Sequence, residues 1–455
     1  MIIRAIGKLI LDNERIRELI YRNKKMRDLI PRLKTKFVYR PFITRLRVPI
    51  IAITGTNGKT TVARLLERIY LDAGYNVGTC TTSGVTHNGI LVLRGDWSLA
   101  GGAYEAAKCP NVDLLVLETA RGGMINYGIG FKKCQVGIVT NLYEDHLGFD
   151  GIETLEEMAE VKSSIPSRTD KQGSLILNGD DVYVRAMVDR SQANPIYFMI
   201  ENDHRKFENV VFLKEDRIYK KIDGHEEFVM NAIELPITFE GMLGYNIANV
   251  MTTLAAVEGM KKFLPLKDER VLNTLMQYGQ SPGDNPERFC MLTFEGERVI
   301  LNFCKNPESY RREIEVITKI KRDEGFTSVV GVMTAPGNRR EDYFKEISRL
   351  VASICDYVFV HPPKAEYLRG RSKEELVKLL STNIPKKRIL STQQCSLREI
   401  ISLSNEKCAG KTLYVVFKVL AEAAIDFRQV VEEAQFVHYP SQKLKKENKL
   451  SSSIN

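Results

Sequence analysis

The chain has 455 residues, 44% of them apolar and 27% charged, proportions of a globular protein with room for two or three domains. Its formal charge of +9 is unevenly placed: residues 1–47 hold 14 Lys/Arg against 4 Asp/Glu, so the rest of the chain is close to neutral. The basic character belongs to an N-terminal extension, which argues against a nucleic-acid-binding body. No apolar run approaches the roughly 20 residues needed to cross a bilayer, and no apolar stretch followed by a small-residue cleavage site marks a secretory leader. The eight cysteines form no CxxC pair, which speaks against a zinc ribbon and suits reduced thiols in a cytoplasmic protein.

Residues 1–47 read as helical. Ile6, Leu9 and Ile10, then Ile16, Leu19 and Ile20, then Met26, Leu29 and Ile30 recur at helix spacing among Arg and Lys, with Pro31 expected to end or kink the helix. Such an arm either packs on the body or offers a docking surface to an acidic partner or an anionic lipid. Next comes Val48 to Tyr70. An apolar run, Ile50 to Ile53, predicts a buried parallel strand. Gly55-Thr56-Asn57-Gly58-Lys59-Thr60-Thr61 predicts a tight glycine turn, and Val62, Leu65, Leu66 and Ile69 mark one face of a following helix. Strand, glycine loop and helix N-terminus make a phosphate cradle. Gly55 and Gly58 let backbone N–H groups turn inward, Lys59 adds a full positive charge, and the Thr60 hydroxyl is the natural ligand for the magnesium that accompanies a nucleotide. The standard motif has a glycine where this chain has Ile53.

Two further strands are expected at Asp113–Leu117 and Gln135–Thr140, each followed by polar residues: Glu118 to Gly123 after the first, Asn141 to His146 after the second. Ligands bind at the carboxyl ends of strands in an open parallel sheet, so these segments and the phosphate loop should converge on one crevice. Thr154 with Glu157 predicts a capping box opening a helix, with Lys162 in its last turns. Residues 195–235 predict an antiparallel insert, and Gly241–Ala256 another helix. From Ser281 the pattern resets: VILNF, SVVGVM, YVFVH and LYVVF alternate with helical segments at 307–322, 341–354 and 373–381. The expected fold is α/β, a P-loop central domain with a parallel sheet followed by a C-terminal Rossmann-like α/β domain. The expected boundaries are 1–47 for the arm, 48–280, 281–435, and a polar tail at 436–455.

Glu118 and His146 each follow a strand and are within reach of a metal-phosphate zone, the carboxylate being the more usual magnesium ligand. GTNGKTT, LETARGG, NLYEDHLG and the lysine at 162 together resemble the ATP-dependent Mur ligases, most of all the Mur-like half of cyanophycin synthetase. The stretches LETARGGM, MAEVKSSIP, Asn178-Gly179-Asp180-Asp181, GDNPERF and YLRGRSKEEL are similar to that half in order and spacing, across roughly residues 48 to 430. The resemblance implies ATP and Mg2+ as cofactors, and a carboxylate activated as an acyl phosphate and then captured by an amino acid or amine. It implies that Gly55 to Thr61 cradle the phosphates, with Lys59 on the β- and γ-phosphates. Thr60 and Glu118 would hold one magnesium, and His146 a second, close to a carbamylated Lys162. Asn246 and Asn249 would lie on the adenine side, and Arg288 would reach the γ-phosphate.

The chain departs from the family after residue 301. Asn302 stands where the family has its ribose-binding aspartate, Lys305 where it has a histidine, and Asn338 where a GDRR-type loop has aspartate. These changes put the ribose contact and the amine substrate in question. About 50 residues precede the phosphate loop, so a uridine nucleotide substrate is not expected, and neither is an ATP-grasp half. A separate ATP-grasp ligase or an acidic polymer is therefore a candidate partner for the basic arm, and homo-oligomerisation stays open. Two other readings compete: a binding or regulatory subunit that keeps the fold with little catalysis, and a ligase-like subunit of a cell-wall amidotransferase, which the lack of a cysteine ribbon weakens.

Overall fold

The computed structural model describes residues 24–145, 147–148, 151–417 and 425–437. They form two compact units. Residues 24–142, 151–232 and 246–276 make the first; residues 143–148 (His146 aside), 233–245 and the described residues from 277 onward make the second.

The first unit is built on an eleven-stranded sheet. At its centre Ile50–Thr54, buried along its whole length, lies parallel between Leu114–Glu118 and Cys134–Val139. Every residue of this strand faces either a helix or another strand, which is why its sequence is continuously apolar rather than alternating. Beyond Leu114–Glu118 come Val77–Thr81, parallel, and then the antiparallel strands Gly84–His87 and Ile90–Arg94. Beyond Cys134–Val139 come Thr169–Asn178, Asn194–Met199 and Val210–Lys214, all parallel, and the antiparallel strands Arg217–Ile222 and His225–Asn231. The insert expected to be antiparallel over 195–235 is therefore antiparallel only in its second half. A crossover through the helix Val182–Ala186 returns the chain to the same edge, and a crossover makes a parallel neighbour.

The helix Lys59–Asp72 follows the central strand and buries Val62, Leu65, Leu66 and Ile69 completely. The capping box at Thr154 is present: its hydroxyl accepts from Glu157 N and the Glu157 carboxylate accepts from Thr154 N, opening the helix Leu155–Lys162.

The N-terminal arm is described from Lys24. Its helix Lys24–Lys34 runs through Pro31 rather than ending there, and its register then widens to a π-helix at Thr35–Tyr39 before Arg40–Leu46. Pro31 removes one backbone donor, and the Thr35 hydroxyl donates to the Pro31 carbonyl at 3.0 Å. Part of this arm packs on its own unit. Arg32 donates to the carbonyls of Ile125 and Asn126, Arg40 to that of Ile129, Tyr39 stacks on Tyr104 and Ile43 is buried. The expected helix over residues 1–23 lies outside the described residues.

The second unit holds a seven-stranded sheet in the order Ile389–Ser391, Tyr357–Val360, Ser328–Met333, Thr412–Val416, Glu297–Leu301, Cys290–Phe294, Gln435–Phe436. The first five are parallel; the last two are added antiparallel, so the sheet is mixed. The helices Pro307–Glu324, Glu341–Ile354 and Lys373–Leu380 alternate with its strands. Two α/β units with largely parallel sheets are the architecture the sequence pattern indicated.

Candidate phosphate-binding site

The site grows from the end of the central strand. Gly55 has φ of +137° and Gly58 of +85°, left-handed values that a side chain resists. A Cβ on Gly55 would stand 1.9 Å from Thr140 Oγ1, and one on Gly58 2.3 Å from Asn249 Oδ1. Space as well as conformation therefore demands glycine at both positions. Gly58 is the N-cap of the helix Lys59–Asp72, so the first backbone N–H groups of that helix and its positive dipole end face the loop.

Neighbouring strand ends fix the loop. Thr56 N donates to the Asn141 carbonyl at 2.9 Å and Asn57 N to Asn141 Oδ1 at 2.8 Å. Thr140 Oγ1 donates to the Asn57 carbonyl at 2.7 Å. Thr140 and Asn141 follow Cys134–Val139, whose register against Ile50–Thr54 sets Val139 beside Thr54 and so carries them alongside the turn. Leu142 N in turn donates to Asp181 Oδ2 at 2.6 Å.

Two lysines meet the loop. Lys59 Nζ donates to the carbonyls of Gly55 (3.0 Å) and Thr56 (2.9 Å), and Lys162 Nζ, from the end of Leu155–Lys162, donates to the same Gly55 carbonyl at 2.8 Å. Both side chains are buried. Thr60 Oγ1 donates to Glu118 Oε2 at 2.8 Å and lies 3.1 Å from Thr82 Oγ1, while Thr82 N donates to the same carboxylate oxygen at 3.2 Å. Glu118 is the last residue of its strand, paired in register with Ile53, so the carboxylate arrives at the loop because the two parallel strands end together. Asn249 Nδ2 donates to Asn246 Oδ1 at 3.0 Å on the helix Gly244–Met260, and Asn249 is the residue that crowds Gly58.

The first unit thus gathers Gly55, Thr56, Asn57, Gly58, Lys59, Thr60, Thr61, Glu118, Lys162, Asn246 and Asn249. His146, expected as a metal ligand, lies outside the described residues. Arg288 and Asn302 belong to the second unit. Arg288 stacks its guanidinium on the Phe303 ring at 4.9 Å. The Asn302 side chain is buried with partners inside its own unit: Oδ1 accepts from Phe289 N and Phe303 N, and Nδ2 donates to Glu313 Oε2 at 2.6 Å. Lys305 pairs with Asp145 at 3.0 Å, with Arg339 3.9 Å from the same carboxylate.

The sequence reading missed Thr82, named Thr140 only as the end of a strand and Asp181 only within a stretch similar to the family, and noted Asn141 only as a polar strand end. Their roles arise from sheet register, which no local pattern announces.

The comparisons with known proteins bear on the same residues. Residues 53–257 match the Mur ligase middle domain, a span that includes Gly55 to Thr61, Glu118, Lys162 and Asn249. These residues carry a Mur ligase middle domain. The chain is similar to cyanophycin synthetase from Synechocystis sp., with 32% identity over 397 residues, covering 85% of this chain and 44% of that protein. It therefore spans less than half the length of that relative. Among solved structures it is similar to E. coli FolC in complex with DHPP and ADP, with a TM-score of 0.63, 17% identity, and coverage of 88% of this chain and 91% of that one. A bifunctional folylpolyglutamate synthase/dihydrofolate synthase with Mn, AMPPNP and L-glutamate bound gives a TM-score of 0.63 at 16% identity, covering 86% of this chain and 92% of that one. At such identities the two structures show the shared Mur ligase and FolC-like fold.

The donor set of this Mur ligase middle domain also bears on the metal. Among the described residues no three His, Cys, Asp or Glu side chains gather into a cage. Two hydroxyls and one carboxylate, Thr60, Thr82 and Glu118, stand together instead. That is the sparse oxygen set suited to a magnesium ion that takes its remaining ligands from phosphate and water.

Proposed function

We propose that this chain is an ATP-dependent amide ligase that activates a carboxylate and joins it to an amino acid or amine. The observation that carries the reading is the contact between Thr60 Oγ1 and Glu118 Oε2 at the mouth of a glycine loop whose Gly55 carbonyl also receives Lys162. A nucleotide loop alone serves hundreds of activities; a loop with this carboxylate and this helix-end lysine is much narrower. The Mur ligase family match, and the ADP, AMPPNP and Mn named for the two structural neighbours, support the choice of nucleotide and of a divalent metal.

Bound ATP would supply a γ-phosphoryl group, turning the carboxylate into an acyl phosphate whose carbonyl carbon an amine then attacks, with phosphate leaving. This chain's own residues would do the rest. The backbone N–H groups of the Gly55–Thr61 loop and Lys59 would hold the phosphates and offset their charge. Thr60 and Glu118 would bind the magnesium. Arg288 would add positive charge toward the γ-phosphate. Lys162 would act as a carbamate, because an ammonium repels a divalent cation whereas a carbamate oxygen attracts it.

The test is ADP release from ATP and MgCl2 with a panel of amino acids and amines, each paired with acidic peptides as carboxylate donors. Turnover with at least one pair is expected, with K59A lowering it by about 100-fold or more. K162A should likewise abolish turnover, and intact-protein mass spectrometry of the wild type in bicarbonate should show the mass of one added CO2 that K162A lacks. Nucleotide binding without turnover for any pair would favour a non-catalytic binding subunit and overturn the ligase reading.

A further inference from the structure

Asn302 occupies the position where the family resemblance implies a ribose contact, yet its hydrogen bonds lead elsewhere. Oδ1 accepts from Phe303 N at 2.8 Å and from Phe289 N at 2.9 Å, thirteen residues earlier in the chain. An amide oxygen has two lone pairs, and both are engaged by backbone, so none is left to accept from a sugar hydroxyl. Nδ2 donates to Glu313 Oε2 at 2.6 Å. Glu313 projects from the helix Pro307–Glu324 and has no exposed surface. A fully buried carboxyl group is expensive unless it is paired; besides Asn302, the buried Tyr245 hydroxyl faces Glu313, and burial followed by the Glu313 charge holds that phenol well above its ordinary range, so it stays neutral.

The two backbone groups that Asn302 ties together flank a single side chain. Phe289 follows Arg288 in sequence, and Phe303 supplies the ring on which the Arg288 guanidinium lies, 4.9 Å from its centroid. On the other side of Arg288, Glu287 has φ of +63°, and its carbonyl accepts from Arg288 Nη1 at 3.1 Å. A non-glycine residue in the left-handed region persists only where its surroundings over-determine it. Glu287 is therefore held against its backbone preference, and the bond from Phe289 N to Asn302 is one of the contacts that fix the chain just after it.

We propose that Glu313 and Asn302 form a buried positioning pair for Arg288, fixing the backbone after it and the ring beneath it, so that Asn302 serves the arginine and not the ribose. The proposal rests on the reading above that Arg288 acts on the γ-phosphate. Burial pushes the Glu313 carboxyl up to about 8. At neutral pH it is therefore mostly protonated, while its other oxygen still accepts from Asn302.

The test uses the full chain and titrates it calorimetrically with Mg·ADP and with Mg·AMP-PNP at pH 6.5 and pH 8.5. Arg288 should contribute to the second ligand only, so R288A should cut the AMP-PNP-to-ADP affinity ratio by about 10- to 100-fold, as expected for a hydrogen bond to a charged group. N302D keeps the acceptor for Phe289 N and Phe303 N and sets a carboxylate against the protonated Glu313. The new charge holds that proton more tightly, so N302D should leave the ratio near wild type at both pH values. N302L removes the acceptor and the donor together and should lower the ratio by about tenfold, with ADP affinity unchanged. N302D/E313Q, in which the amide of E313Q donates to the new carboxylate, should also keep the ratio. If N302D instead tightens ADP and AMP-PNP equally at both pH values, Asn302 faces the ribose and the proposal is wrong. An unchanged ratio in N302L, with a loss in R288A, overturns the positioning pair alone. An unchanged ratio in R288A overturns the role given to Arg288, and the pair with it.

Discussion

At the scale of single residues, the phosphate loop is decided by what cannot be there. Gly58 combines φ of +85° with an Asn249 oxygen 2.3 Å from any Cβ. In G58A the backbone term alone costs about 1–2 kcal/mol, and the crowding adds to it because Asn249 is itself buried and bonded to Asn246. ADP affinity measured by titration should fall by about tenfold or more in G58A. The double variant G58A/N249A should recover only part of that, since removing the asparagine relieves the crowding and not the left-handed backbone. Full recovery would mean that conformation contributes nothing here. The loop, the lysine and the threonines were legible in the sequence because glycine, lysine and hydroxyl at fixed spacing state their chemistry locally. Glu118 was legible as a carboxylate at the end of a strand bordering the crevice, whereas Lys162 was legible only through family resemblance, since a helix-end lysine is common. The roles of Thr82 and Thr140 were not legible: each is an unremarkable threonine until parallel register sets it beside the loop.

At the scale of elements, Asp181 joins two of them. Its Oδ1 caps the helix Val182–Ala186 by accepting from Tyr183 N and Val184 N, while Oδ2 accepts from Leu142 N at 2.6 Å. Leu142 follows Asn141, whose backbone and side chain receive two N–H groups of the phosphate loop. D181A should therefore act in two ways. Losing the cap and leaving Leu142 N unpaired should destabilise the unit by about 1–3 kcal/mol, read as a lower melting temperature. Slackening the segment behind Asn141 should also weaken ADP binding, whereas D181N, whose single oxygen can serve the cap or Leu142 N but not both, should recover only part of the stability. A stability loss without any effect on ADP would confine Asp181 to the cap. The element pattern itself was easy to read where it was strongly periodic: the helices at Thr154 and 341–354 and the strand at 328–333 fall where expected. The insert over 195–235 was misread because apolar, strand-prone residues do not say whether the next strand runs parallel. That depends on the connections: the helix Val182–Ala186 before Asn194–Met199, and the segment with the short helix His204–Lys206 before Val210–Lys214. Of the two effects expected of Pro31, ending the helix did not occur, and contacts of Arg32, Tyr39 and Arg40 hold the segment after it on the body.

At the scale of the whole molecule, two buried groups of the second unit give its stability opposite dependences on pH. Burial holds the Glu313 carboxyl up at about 8 against an ordinary 4.5, so between those values the folded chain keeps a proton that the unfolded chain has lost. The stability tied to that proton is present below pH 4.5 and disappears as pH rises through 8. His361 is displaced the other way. Burial lowers it to about 4 from 6.5, so between those values the unfolded chain binds a proton that the folded chain refuses, and stability is lost as pH falls. From about 4.5 to 6.5 the two slopes are equal and opposite and cancel; from 6.5 to 8 only that of Glu313 remains. Denaturant unfolding of the second unit, followed across this range, separates them. The stability of E313Q relative to wild type should rise steadily from pH 4.5 to 8, because an amide does not ionise. H361Q relative to wild type should gain as pH falls from 6.5 to 4, with Cys395 N keeping an acceptor in place of His361 Nε2. Glu313 and His361 lie on different elements with no shared partner among the described hydrogen bonds, so the two differences should add in the double variant. An E313Q difference that stays flat with pH would show that Glu313 titrates in the fold as it does in water. Its pairing with Asn302 would then have to be sustained by an ionised carboxylate.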